Sequence, residues 1–443
     1  MVTLSGYQEE AVQFLLEHID GGLLADDVGL GKTYTSLVAV KRILDAWKTK
    51  TGPVWVVCPK TLKAQWSTAI EEVFYDWTRE QLESTFKIKS YTEMVKAYGQ
   101  ELRPDIIVFD EAHMLKNIYA VRTQCALWFG RYSKVVWFLT ATPAPNNPSE
   151  LFTYLILPRV RENRSAYATL ENLSRFLKRA YKDYLSYYFK IYEDPVIRRI
   201  IVKGFLDRDK QAEFTDVVSA RCLRRTKENY LDLPMLSRKS IEIPWETADQ
   251  EEQYYLLEKS MLQEAGRKKY SYLVRLREYS ATTSKVNWLV PVLEERVQRG
   301  QSVIVFATFK SVLLDLVAKM SVPVSVITGD TPESSRVTAV KMFQHGDTKV
   351  LLATPFVGGV GLNLQVASVI YWIDLWWSPD VQLQGVGRAY RRGQTHDVEE
   401  YVLFHPDTID EAIMKVLSRK RRFNAAIFRE EVIHDLRQRR STR

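Results

Sequence analysis

Apolar residues in this chain come in two rhythms. Near the start, residues 22–25, 54–58, 105–109 and 135–139 form short, nearly unbroken apolar runs. Runs of that length, without alternation, read as strands buried on both faces, as in parallel sheets. Between them apolar positions return at helical spacing, most clearly over 32–47. A second series begins near Ser284, with runs at 303–306, 324–327, 350–353 and 369–373 and helical stretches between. Strand and helix alternating in two separate blocks predict an α/β fold of two lobes, each a parallel sheet flanked by helices. The expected divisions are a first lobe over 1–155, a helical insertion and linker over 156–283, a second lobe over 284–407 and a basic C-terminal helix over 408–443.

The first run opens into LADDVGLGKT, from Leu24 to Thr33. A Walker phosphate loop reads G-x-x-x-x-G-K-[ST]. Its last three positions are present as Gly31, Lys32 and Thr33, while Asp26 stands where the first glycine would be. Such a loop turns backbone N–H groups inward around phosphates, which demands residues without bulk. Gly29 and Gly31 keep that freedom. Lys32 can neutralise the β and γ phosphates, Thr33 can ligand Mg²⁺, and the helix that follows offers its positive N-terminus. With Asp27, these are the candidate nucleotide-binding residues. The first glycine mainly shapes the way into the loop, so Asp26 need not abolish binding. The competing reading is a glycine turn between core elements, but strand, loop and helix arrive in the required order.

The run at 105–109 leads into Asp110-Glu111-Ala112-His113. An acid at a strand end beside a phosphate loop can hold Mg²⁺, and an adjacent Glu can orient and deprotonate an attacking water. Asp110 is thus the candidate metal residue together with Thr33, and Glu111 the candidate base. A lone DEAH could equally be a solvated acidic turn. Thr140-Ala141-Thr142-Pro143 follows the next run, and its hydroxyls could sense the γ-phosphate. The second lobe carries no phosphate loop. It has Gln384-Gly-Val-Gly387-Arg388-Ala-Tyr-Arg391, and two arginines three apart would share a helix face. Facing the first lobe, they could stabilise transition-state charge; alone, an Arg-rich helix is more often surface.

Composition narrows the class. The 443 residues are 46% hydrophobic and 26% charged, as in a globular protein, and long enough for two or three domains. Cys58, Cys125 and Cys222 have no paired spacing, which predicts a reducing compartment without structural zinc or disulfides. No run approaches a membrane span, and Met1 leads almost at once into a polar helix, so neither membrane nor signal peptide is expected. The net charge is +8, but residues 156–210 hold thirteen Lys or Arg against seven Asp or Glu, and residues 419–443 nine against three. The excess sits on appendages, which suits contact with a phosphate backbone. Tyr167, Tyr181, Tyr184, Tyr187, Tyr188 and Tyr192 lie among the first of these basic groups at helical spacing. They could stack on nucleic acid, but packing of helix on helix is the favoured reading for most of the rings.

LLADDVGLGKT, VVCPKTLKAQW, DEAHMLKN and LTATPAPNNPSELF resemble motifs I, Ia, II and III of the SWI/SNF-type ATPases of helicase superfamily two. SVIVFATF, ITGDTPESSRVTAVKMF, LLATPFVGGVGLNLQVASVIYWIDLWWSP and QGVGRAYRRGQ are similar to motifs IV to VI. Members commonly carry Asp at the first loop position. The resemblance implies two RecA-like lobes, Tyr7 and Gln8 as a Q motif that reads adenine, Gln384 beside the nucleotide, and Arg388 and Arg391 as arginine fingers. Tyr390 departs from the usual His of motif VI. Leu223-Arg224-Arg225-Thr226-Lys227 also matches the family, which places helical protrusions in the insertion and matches its terminal helix from Thr408. The basic residues from Arg419 on could brace the lobes, track DNA or act as a nuclear signal. Strand-end loops would grip DNA phosphates through Lys60, Thr61, Ser90, Tyr91, Thr308, Lys310 and Thr354 without reading bases.

The expectation is a DNA-dependent ATPase, using ATP and Mg²⁺, that moves on double-stranded DNA without sequence preference. It would act as a monomer in the cytoplasm, or in the nucleus if eukaryotic. With no room for a chromodomain or bromodomain, it would remodel DNA or protein–DNA complexes beside replication, repair or recombination partners. A strand-separating helicase is the alternative, and would need a wedge. A scaffold with a dead ATPase is opposed by Lys32, Asp110, Glu111 and Arg391, and a one-lobe phosphotransferase by the second lobe.

Overall fold

The computed structural model describes residues 2–47, 52–100, 103–194, 199–264, 267–282, 284–356 and 363–427. The basic tail past Ile427 and the 357–362 part of the motif V-like string lie outside them. The chain divides into two compact units. The first takes in the described residues up to Tyr230 and those from Lys420 onward, and the second is Leu231–Arg419.

In the first unit, β1 (Asp20–Leu24), β2 (Val54–Cys58), β3 (Phe86–Ser90), β4 (Ile106–Asp110), β5 (Val135–Leu139) and β8 (Cys222–Leu223) form a parallel sheet. Its order is β3-β2-β4-β5-β1-β8. Alternate residues of each central strand enter different cores: Trp55, Ile107, Phe109 and Phe138 one, Val54, Val56, Val108 and Trp137 the other. Burial on both faces is why these strands are apolar throughout.

The second unit repeats the plan. β9 (Leu236–Glu242), β10 (Val303–Phe306), β11 (Val324–Ile327), β12 (Val350–Ala353), β13 (Val369–Trp372) and β14 (Val398–Phe404) are parallel, in the order β11-β12-β10-β13-β14-β9. Here too alternate residues divide, Ile304, Phe306, Leu351 and Trp372 against Val303, Val305, Leu352 and Tyr371.

The stretch between the two strand series is helical in the main, and it also supplies strands. β8 and β9 each extend a sheet, while β6 (Phe189–Asp194) and β7 (Arg199–Phe205) pair as an antiparallel ribbon. The helix Leu170–Tyr188 packs its tyrosines against the first unit's core. Tyr184 meets Phe152 at 5.0 Å and Tyr167 stacks on Phe176 at 4.5 Å. Tyr187 and Tyr192 stay exposed.

Candidate active site

The loop after β1 delivers the phosphate-site residues. Gly31 sits at φ +83°, a left-handed conformation that favours glycine, and a Cβ there would press on the Gln8 amide nitrogen. Lys32 opens the helix Lys32–Ala46, and its Nζ donates to the Asp26 and Asp27 carbonyls at 2.6 and 3.1 Å. Thr33 follows in the first turn. Gln8 is buried on the helix Gly6–Glu17. Its Oε1 accepts from the Ser5 N–H, and its Nε2 donates to the Leu30 carbonyl at 3.1 Å. The adenine candidate is thereby fixed to the phosphate loop.

Asp110 ends β4 with its carboxylate oriented by two neutral donors. Trp66 Nε1 donates to Oδ2 at 2.8 Å and the Glu111 N–H to Oδ1 at 2.9 Å. Burial, with Glu111 beside it, pushes the Asp110 carboxyl up to about 6, against the pull of Trp66 and Lys32. Glu111 moves the other way: burial raises it, but the hydrogen bond and charge of His113, with Lys32, hold it below its ordinary value. Glu111 also adopts φ +49°, a left-handed conformation that costs a non-glycine residue about 1–2 kcal/mol. Its Oε2 lies 3.2 Å from His113 Nδ1. The same His113 nitrogen is 3.3 Å from Thr140 Oγ1, which accepts the Thr142 N–H at 3.1 Å. Thr140 and Thr142 are thus linked to the DEAH string through one imidazole.

Lys32, Thr33, Asp110 and Glu111 all belong to the first unit. Gln384, Arg388 and Arg391 belong to the second. The shared helix face expected for the two arginines is corrected: the helix Pro379–Ala389 ends between them, and Arg391 lies in the turn beyond it. Among the described residues neither guanidinium has a hydrogen-bond or ion-pair partner, and burial lowers both, Arg388 to about 10. Tyr390, in the usual His position, donates its hydroxyl to the Pro234 carbonyl at 2.9 Å. It is a packing residue.

The nucleic-acid candidates divide. Lys60 and Thr61 are exposed in the short turn after β2. Lys310 is exposed and paired with Asp330, and Thr354 is half-buried after β12. Thr308 is held by Asp374 through its N–H and by Arg277 through its hydroxyl. Ser90 caps the helix Tyr91–Lys96, its oxygen accepting the Glu93 N–H. Tyr91 is a correction: it is 4% exposed, and its hydroxyl donates to the Asp110 carbonyl at 2.7 Å, so it supports the active site from inside.

Trp66, His113 and Arg225 had no role in the sequence reading. Trp66 and His113 lie inside the motif strings, a signal that could have found them. Arg225 lies in the Leu223–Lys227 string that also matches the family, but its partner Asp26 is 199 residues away, and no local signal pairs the two.

The profile of the SNF2-related domain matches residues 7–96 and 81–287, and that of the helicase conserved C-terminal domain matches 284–393. A Caenorhabditis elegans relative, "SWI/SNF-related matrix-associated actin-dependent regulator of chromatin subfamily A-like protein 1 homolog", is 26% identical over 437 residues, covering 94% of this chain and 60% of its own. The Bacillus subtilis "Putative ATP-dependent helicase/translocase YwqA" is 24% identical over 483 residues, covering 97% and 49%. This chain therefore spans about half the length of the curated relatives it matches. A solved structure, the "Sulfolobus solfataricus SWI2/SNF2 ATPase core in complex with dsDNA", is 21% identical with a TM-score of 0.42, covering 94% of this chain and 90% of that one. No helix among the described residues is long and apolar enough to cross a membrane. Because the SNF2-related profile alone takes in well over half of the chain, and the helicase C-terminal profile begins where it ends, the chain belongs to the SNF2-related family of superfamily-two ATPases.

Proposed function

We propose that this protein hydrolyses ATP to move on double-stranded DNA, remodelling DNA or protein–DNA complexes in replication, repair or recombination. One observation carries the reading: a half-buried Glu111 carboxylate, favoured in its charged form by His113, next to Asp110 and Lys32. A phosphate-loop hydrolase activates its water with such a group. Lys32 binds the β and γ phosphates, and Glu111 orients the water and accepts its proton. Arg388 and Arg391 are the candidates to stabilise the charge that develops on the transferred phosphoryl group.

Thr33 and Asp110 offer oxygen ligands for Mg²⁺. Among the described residues no group of three or more His, Cys, Asp or Glu could hold a metal by itself. A cation here would take most of its ligands from phosphates and water, which suits Mg²⁺. It would supply charge neutralisation at the phosphates.

A second reading, strand separation, draws on the β6–β7 ribbon. Ile191, Tyr192, Ile200 and Ile201 are exposed there beside Lys203, whose Nζ lies 4.7 Å from the Tyr192 ring. An exposed apolar ribbon is the kind of element that can act as a wedge.

Steady-state hydrolysis with no nucleic acid, duplex DNA, single-stranded DNA and RNA tests the first reading. Duplex should stimulate most, because the phosphate loop and the arginines are carried by different units. Equal rates throughout would remove the coupling, and stimulation by RNA alone would remove the DNA motor. Forked-duplex unwinding against triplex displacement decides between the two readings: displacement without unwinding is the expected result.

A further inference from the structure

Asp26 stands where a Walker loop has its first glycine, and the structure gives that carboxylate a partner. The pairing of β1 with β8 continues past the strands. Leu23, Ala25 and Asp27 donate their N–H groups to the carbonyls of Arg221, Leu223 and Arg225 at 2.9, 2.7 and 3.0 Å. The loop thus begins laid along residues 221–225. Its first acid then takes the Arg225 guanidinium side-on, Nε to Oδ1 at 3.0 Å and Nη2 to Oδ2 at 2.5 Å. Asp26 is 2% exposed and Arg225 6%. The remaining Nη1 donates to the Tyr7 carbonyl, one residue before Gln8. The guanidinium carbon lies 5.4 Å from the ring centres of both Tyr7 and Tyr230. Asp27, the other acid, accepts the Lys227 N–H at 3.2 Å. One arginine therefore touches the start of the phosphate loop, the Q-motif-like helix and Tyr230, the last first-unit residue before the chain passes to the second.

Resting on the ATP reading above, we infer that Arg225 is a positioning residue of the nucleotide site, and that Asp26 is its anchor rather than a tolerated loss of glycine. A glycine loop sets its shape by backbone freedom. This one fixes its start by a planar, two-point ion pair, and the same guanidinium fixes the peptide that leads to Gln8. Lysine cannot replace it, since a point charge cannot hold both carboxylate oxygens and the Tyr7 carbonyl.

The decisive variant is Asp26→Gly, which completes G-x-x-x-x-G-K-T. Arg225→Lys tests the other partner. The control is Asp20→Asn, which breaks the Asp20–Arg221 pair at the opposite end of β1. Mg-ATP binding to the full chain is measured by calorimetry, with KM and kcat in steady state and thermal melting in parallel. Asp26→Gly should weaken Mg-ATP binding about 30-fold despite its restored consensus, and Arg225→Lys about 10-fold, the scale of lost charge-assisted hydrogen bonds. KM should carry most of the loss and kcat little, while Asp20→Asn stays within about 2-fold, the scale of an exposed pair. The inference is overturned if Asp26→Gly binds as tightly as the wild type, or if losses in all three variants simply follow their melting temperatures. If Asp26→Gly does not fold, Arg225→Lys alone decides by the same criteria. A wild-type chain that does not bind Mg-ATP would instead overturn the ATP reading itself.

Discussion

The two sheets place a buried aspartate at comparable points and wire it in opposite ways. Asp110 closes β4 in the first unit, and Asp374 follows β13 in the second. Asp110 receives only neutral N–H donors, from Trp66 and Glu111. Its charge is oriented but not cancelled. Asp374 receives Arg277 Nη2 at 2.8 Å, both side chains no more than 3% exposed, and its other oxygen accepts the Thr308 N–H at 2.7 Å. Burial raises the Asp374 carboxyl, and Arg277 pulls it back. The same guanidinium donates to the Leu375 carbonyl, while Lys285, fully buried, holds the Ile373 carbonyl and Asp410. The lesson is that a buried acid with no cation bonded to it keeps charge available for a ligand, while one sealed by arginine shapes the chain around it. One architecture thus carries a reactive strand end and a structural one.

If that contrast holds, changes at the first acid cost chemistry and changes at the second cost folding. The largest effect should come from the first unit. Glu111→Gln should still bind Mg-ATP but lose turnover by about 10²- to 10⁴-fold, because an amide cannot accept the water's proton. Binding by calorimetry and single-turnover hydrolysis check this, and near-normal turnover removes Glu111 as the base. Asp110→Asn should likewise lose hydrolysis while its urea midpoint holds or rises, since it no longer buries an uncancelled charge.

Next in size is the sealed pair. Arg277→Met leaves Asp374 charged and alone, and should destabilise the protein by about 3–5 kcal/mol. Arg277→Met with Asp374→Leu should recover most of that loss, because no buried charge remains. Urea unfolding followed by tryptophan emission reads both, as the Arg277 guanidinium lies 4.9 Å from the Trp376 ring. A single variant as stable as the wild type would erase the distinction between the two aspartates.

The smallest effect is a pH slope. His405 is fully buried, stacks on Trp245 at 3.8 Å, and is pushed down to about 4 by burial, with Lys285 adding to the shift. Because the folded-state value lies below the unfolded one, the unfolded chain binds the extra proton. Stability is complete above the ordinary histidine range and falls with pH by about 1.4 kcal/mol per unit down to about 4. His405→Phe, which keeps the stack, should flatten the slope between pH 6.5 and 4 relative to wild type. An unchanged slope would mean that other groups control acid unfolding.

The central strands were legible because burial on both faces leaves one local mark, an unbroken apolar run. Of the four edge strands, only β11 comes near that mark. β3 reads FKIKS and β9 reads LSRKSIE, polar on the side no neighbour covers, and β8 is two residues long. Spacing located the phosphate loop and DEAH, since their chemistry depends on neighbours in sequence. The same spacing misplaced Arg391, because the helix that carries Arg388 ends at Ala389, and the strand-end reading set Tyr91 on a surface that the fold covers. What lay wholly outside the sequence were the partners. Trp66 reaches Asp110 across 44 positions and Arg225 reaches Asp26 across 199. A pattern of hydrophobicity is written one turn or one strand at a time, so the sequence determined which segments are core and which loops carry chemistry. Which charge meets which is decided only when the sheets assemble, because a carboxylate's partner is whatever the fold brings within 3 Å.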